Sequence, residues 1–204
     1  MNLQLKGLDR ALLMFDQRKV RTAASRAINN GLTTGRKVAS QEIRKDWNLK
    51  AGRVDKELRK FKTARSNDLT AIIQAKGKPI DLIHFGAQWR RGRITTTGTK
   101  STRAKKSTKS GGVFVKVRKR PSKKSKGGIV RLPHAFIATT RAGRSGTHIG
   151  VFERVGRNRL PIKKRSAVTI ATMFNHPGVI QPTTQQIGDR MAERFTHHLN
   201  HLLK

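Results

Sequence analysis

The sequence predicts an α+β fold: a long N-terminal helix and a C-terminal amphipathic helix packed on an antiparallel sheet, from which a long basic arm or hairpin extends. Three observations carry this reading. From Val20 to Trp47, apolar or small residues recur at the three- and four-residue spacing of one helical face. Between Leu132 and Lys164, short apolar runs alternate with Gly, Ser and Asn clusters, the pattern of strands joined by turns. At the C-terminal end Ile187, Met191, Phe195, Leu199 and Leu202 return to a helical stripe. The 204 residues then form a single domain, with a helical region over 1–62, a sheet over 69–164 and a helix over 183–204.

Taken in order, Leu5, Leu8, Leu12 and Phe15 suggest a short helix or an entry into one. The long helix follows, through Val20, Ala24, Ala27, Ile28, Gly31, Leu32, Gly35, Val38, Ala39, Ile43 and Trp47. Gly31 and Gly35 lie four apart and strip Cβ atoms from one side. That favours either close approach of another backbone or a weak point in the helix. Val54, Leu58 and Phe61 continue as a second, short helical stripe. The period then changes: the runs 69–75 and 80–85 flank Lys76-Gly77-Lys78-Pro79, which reads as a β-hairpin with Pro79 in the turn or at a strand edge.

From Gln88 the composition shifts to Arg, Lys, Thr, Ser and Gly with almost nothing to bury, a stretch that cannot offset its own ordering entropy. Val113, Val115 and Val117 alternate with Phe114, Lys116 and Arg118 as a half-buried strand, and the arm, about 88–131 in all, returns through Ile129 and Val130. Three extended segments follow, marked by Ala135 to Ile137, by Ile149 to Phe152, and by Leu160 with Ile162. Ala167 to Phe174 reads as a short helical turn ended by Asn175-His176-Pro177-Gly178, and Thr183 with Gln186 has capping-box spacing ahead of the final helix.

Charge bounds the function. Forty-six Lys and Arg against eleven Asp and Glu leave a formal net charge of +35, and no acid occurs between Asp81 and Glu153. A solvated face mixes both signs, so this uniformity calls for an anionic partner. Nucleic acid is the densest candidate, at about one negative charge per 1.7 Å of duplex axis. A membrane is not expected, for want of a long apolar run or a lipidation signal, and the N-terminal stretch is not a convincing signal peptide. With no cysteine there is neither a disulfide framework nor a thiolate zinc site, so a protein used or assembled inside a cell fits best.

The residues that charge alone selects for contact with DNA phosphates are Arg90, Arg91, Arg93, Lys105, Lys106, Lys109, Lys116, Arg118, Lys119, Arg120, Lys123, Lys124 and Lys126. Trp89 beside Arg90 could stack on a base, but aromatic residues are 5% of the chain and tyrosine is absent, so sequence-independent backbone contact is the expectation. Catalytic chemistry is not expected. There is no nucleophile elbow or phosphate-cradling loop, and Gly143-Arg144-Ser145-Gly146 is only a turn. Asp81 and Glu153 read as ion-pair partners of nearby arginines. His197 and His201 lie four apart with His198 between them, a geometry that could grip a metal, but no third ligand accompanies them and exposed helix positions are the simpler reading. No cofactor and no small-molecule substrate are expected.

A succession of short motifs adds a resemblance. Lys6-Gly7-Leu8, Ala27-Ile28-Asn29, Leu132-Pro133-x-Ala135-Phe136-Ile137, Val151-Phe152-x-Arg154 and Arg159-Leu160-Pro161-Ile162, flanking a Lys/Arg-rich centre, are together similar to the minor tail protein Z family of long-tailed phages. The resemblance implies a tail completion protein in the virion, at the neck or head-proximal end of the tail, that serves head–tail joining and positions the DNA end. It also implies assembly in the host cytoplasm, a hexameric ring of copies around the DNA channel, and neighbours among tail terminator, tail tube and head-connector proteins. Two other partners fit the composition: acidic surfaces of neighbouring tail or neck subunits, and RNA, as for a basic structural protein resembling a ribosomal subunit.

Overall fold

The computed structural model describes residues 16–97, 105–109, 111–120, 128–141 and 147–202. The expectations for Leu5 to Phe15, for Lys6-Gly7-Leu8, for Lys123, Lys124 and Lys126, and for the turn at Gly143 fall outside these residues. The α+β class holds. The helices are α1 (Gln17–Asp46), α2 (Ala51–Glu57), α3 (Ile170–Phe174) and α4 (Pro177–Leu202). The chain groups into two compact units: residues 1–45, 50–78 and 169–204 form one, and 46–49 with 79–168 form the other.

The first unit contains the helices and a two-stranded antiparallel ladder of β1 (Leu58–Lys62) and β2 (Ile72–Ala75). The spaced small residues of α1 explain the packing. Val20, Ala23, Ala24 and Ala27 are buried against Phe195 of α4, with Leu69 and Leu199 at the margin. Further along, a Cβ at Gly31 would overlap Cγ of Met191, and one at Gly35 would overlap Cγ1 and Cδ1 of Ile187. The close approach here is made by side chains and not by a second backbone: the absent Cβ atoms make room for Met191 and Ile187 of α4. Asn29 fastens α1 to the chain after β1, since its Nδ2 donates to the Ala64 carbonyl at 2.8 Å and its Oδ1 accepts from the Ala64 N–H at 2.9 Å.

Two local expectations change here. The stripe Val54–Leu58–Phe61 is helical only to Glu57. Phe61 lies on β1 and is 67% exposed, so its spacing reflected no buried face. The capping box at Thr183 does not form, because α4 already begins at Pro177, a residue suited to a first helical position. Thr183 is buried inside the helix and its hydroxyl donates to the Val179 carbonyl at 2.6 Å. Pro182 is accommodated because the carbonyl it leaves unbonded belongs to Gly178, in the exposed first turn.

The second unit is built of small ladders. Strands β3 (Pro79–Asp81) and β12 (Ser166–Thr169) pair with each other. Strands β4 (Gln88–Arg90), β7 (Gly112–Val115) and β8 (Val130–Leu132) form a sheet in the order β4-β7-β8. Strands β5 (Arg93–Thr97) and β6 (Lys105–Lys109) form an antiparallel pair of their own. The three segments expected after residue 132 are β9 (Ala135–Arg141), β10 (Thr147–Arg154) and β11 (Ile162–Lys164), an antiparallel sheet with β10 in the middle. Its register pairs Val151 with Ile137 and Phe152 with Phe136.

The hairpin expected over 69–85 is not formed. Strand β2 pairs backwards with β1, and the Lys76 N–H extends that ladder to the Glu57 carbonyl at 3.0 Å. Strand β3 goes to β12, and Leu82–Phe85 is a 3₁₀ turn. Burial separates the two runs: Ile80 and Phe85 are fully buried, whereas Ile72 is 40% exposed and has no such core to enter. Pro79 does open a strand, as its missing N–H requires.

Candidate nucleic-acid interface

The ten cations selected by charge that lie among the described residues belong to the second unit. Its framework at this point is the β4-β7-β8 sheet together with residues 46–49. The Asn48 N–H donates to the Val117 carbonyl at 2.9 Å and the Lys119 N–H to the Asp46 carbonyl at 2.8 Å, an extended pairing around the bridge between Trp47 and Arg118. Asn48 Nδ2 also donates to the Phe85 carbonyl at 3.0 Å. Trp47, Phe85, Val113 and Val115 are buried in this unit, whereas in the segment 116–120 Lys116 and Val117 are half-buried and Arg118, Lys119 and Arg120 are exposed.

On this framework the cations divide by their surroundings. Arg90 lies over the Phe114 ring, 5.3 Å from its centroid, and Arg118 lies at 5.3 Å over Trp47. Both guanidinium groups are held by aromatic faces, whose negative quadrupole attracts a cation without neutralising it. Arg120 approaches Asp46 at 3.6 Å, but its side chain is 84% exposed, so solvent screens the pair. Arg91 and Lys119 are exposed and Lys116 is half-buried, and none of the three meets a carboxylate among the described residues. Arg93 stands opposite Lys109 in the β5–β6 register, Thr96 opposite Lys106 and Thr97 opposite Lys105.

Sequence reasoning missed the aromatic rests, because Trp47 and Arg118 are far apart in the chain. It also missed Arg154, 5.7 Å over the Phe136 ring, and Arg131, which donates to the Gly111 carbonyl at 2.9 Å. Exposed Trp89 sits on β4 beside Arg90, as the sequence places it.

The two acids that bound the basic stretch are engaged structurally. Glu153 meets Arg165, as expected of an arginine partner. Asp81, 13% exposed, meets no arginine among the described residues. His148 Nε2 and Lys164 Nζ both lie 2.9 Å from its oxygens, which ties β3 to β10 and β11. Among the described residues, no group of three metal-ligating side chains occurs. The rings of His197 and His198 meet edge-to-face at 5.4 Å. Burial, with the like charges of His197, Arg26, Arg194 and His201, holds His198 below the ordinary imidazole value. No described helix is long and apolar enough to cross a membrane.

What this arrangement can do chemically is bind anions without reading sequence. Its donors are guanidinium and ammonium groups on a strand framework. No curated protein and no solved structure matches the chain. The model of the prophage minor tail protein Z family matches residues 5–204, and the chain belongs to that family: it is a structural protein of the phage tail.

Proposed function

We propose that this tail protein completes the tail at its head-proximal end, where copies arranged in a ring let the tail join the head and hold the DNA end in the channel. The basic stretch from Gln88 to Arg131 faces the lumen and neutralises duplex phosphates. The observation that carries this reading is the set of Arg91, Lys116 and Lys119 on a fixed strand framework, without a carboxylate partner among the described residues, in a stretch of sequence that has no acid at all. Surface charges are screened over about 8 Å at physiological salt, so only side chains that reach the phosphates contribute. Many exchangeable contacts also suit a DNA end that must later leave, because none of them is specific to a base.

Electron microscopy of the intact particle tests the placement. The expected result is a ring of this chain between tail tube and head, with residues 88–131 lining the channel. A position at the distal tip, or a ring with those residues turned to the outside, overturns it.

A further inference from the structure

The first unit has a second cationic surface, separate from the basic stretch. The apolar face of α1 is spent on α4, and on the remaining side Thr33, Arg36, Lys37, Ser40, Gln41 and Arg44 line a cleft of about 300 Å³. Asp55 of α2 and Lys60 of β1 complete its lining. The cations are pre-positioned by hydrogen bonds to main-chain and hydroxyl oxygens. Arg36 donates through Nε to the Leu58 carbonyl at 2.8 Å and through an Nη to the Asp55 carbonyl at 2.9 Å. Arg44 donates to the Ser40 carbonyl at 3.1 Å and Lys60 to the Thr33 hydroxyl at 2.7 Å. All of these acceptors are neutral. Among the described residues, no ion pair is made by Arg36, Lys37, Arg44 or Lys60, although acids elsewhere in the unit do pair.

We infer that this cleft binds an extended acidic peptide segment of a neighbouring protein. Its shape argues against duplex DNA: a duplex is a wide convex rod, whereas Arg36 and Arg44 are half-buried in a concave cleft. Its chemistry argues for a peptide over a bare phosphate chain. Asp55 places a carboxylate among the cations, and it has no side-chain partner among the described residues. A peptide supplies both what the cations need, carboxylates, and what Asp55 needs, N–H donors. A DNA backbone supplies only acceptors. From residue 33 to residue 44 the helix rises about 16 Å, which an extended chain spans in about five residues. A second copy of this chain is a poor occupant, because each copy carries a net charge of +35. The inference stands independently of whether the basic stretch of the second unit contacts DNA.

The test uses the full-length protein and a fluorescent Glu-Ser-Glu-Ser-Glu peptide with a photo-crosslinking end group, in the presence of saturating duplex DNA to occupy other basic surfaces. The expected result is retained peptide binding, with crosslinks mapped by mass spectrometry to residues 33–44 or 55–60. Charge reversal by Lys37→Glu with Arg44→Glu weakens binding by about tenfold or more, while Arg91→Ala with Lys119→Ala changes it by less than about twofold. Complete displacement of the peptide by duplex, or crosslinks confined to residues 88–131, overturns the inference. So does unchanged affinity in the charge-reversed protein with its helical circular dichroism intact. Crosslinking on the unmodified protein decides the matter even where a variant fails to fold.

Discussion

Replacing Gly35 with Ala tests whether α1 and α4 meet as closely as described. On propensity alone, Ala in a helix interior stabilises by about 1 kcal/mol relative to Gly. Here the new Cβ overlaps Cγ1 and Cδ1 of Ile187, which is buried and β-branched, so its χ1 has little freedom to move aside. Overpacking of this kind costs about 1–3 kcal/mol, so the net effect is a loss of up to about 2 kcal/mol. Ile187→Val removes Cδ1 and alone costs about 0.5–1.5 kcal/mol. In the Gly35→Ala background the same truncation removes the Cδ1 overlap and leaves that with Cγ1, so the two changes together cost less than their sum, a favourable coupling of about 1 kcal/mol. The assay is urea unfolding followed by far-UV circular dichroism. Fluorescence would report on the wrong region, since both tryptophans, Trp47 and Trp89, lie in the second unit. A Gly35→Ala protein that gains the full helix-propensity term, with no coupling to Ile187, refutes the close approach.

Further predictions concern single contacts. Asn29→Ala removes both partners of Ala64 and leaves a part-buried N–H and carbonyl to find water, for an expected loss of about 1–3 kcal/mol in the same unfolding assay; a change within about 0.5 kcal/mol contradicts the clamp. Asp81→Asn takes the carboxylate from between His148 and Lys164 and destabilises the second unit by about 1–2 kcal/mol, discounted because both partners are part-exposed, as read by tryptophan fluorescence. His198 is held below its ordinary value of 6.5 by burial and neighbouring positive charge, so the unfolded chain takes up its proton first. The stability this group contributes is complete above pH 6.5 and is lost as pH falls through the lower folded value. His198→Gln should therefore flatten the acid side of the stability profile of the helical unit, and an unaltered profile counts against this account.

How far the sequence could be read depended on how local the determining contact is. The helical face from Val20 to Trp47 is a repeated local pattern, and the strands marked by Ile137, Val151 and Ile162 are set off by their own turns. The mistaken hairpin over 69–85 had correct turn chemistry at Lys76 to Pro79. What decided against it was remote: a partner for Ile72 upstream on β1, and a partner for the strand of Ile80 far downstream in β12. Thr183 and Gln186 showed the same limit, since a capping box needs a helix that begins there, and Pro177 began it earlier. At the candidate interface, charge alone selected Arg91, Lys116 and Lys119, and the structure gives them no carboxylate partner among the described residues. The ring beneath Arg118 was not legible, because Trp47 arrives from the end of α1. Asn29 stood within Ala27-Ile28-Asn29, one of the short stretches that carried the resemblance, and only the structure gives it a task, the clasp on Ala64.

The salt dependence of duplex binding tests the central claim most directly. Arg118 and Arg120 are unsuited to it because they also hold Trp47 and Asp46, so the informative variant is Arg91→Ala with Lys116→Ala and Lys119→Ala. Each phosphate contact contributes about 0.9 to the slope of log K against log salt concentration. If these side chains neutralise phosphates, the slope of the triple variant becomes shallower by about 2 to 3 while unfolding is unchanged. An identical slope, in a protein that still binds the duplex, would show that the acid-free stretch does not touch DNA.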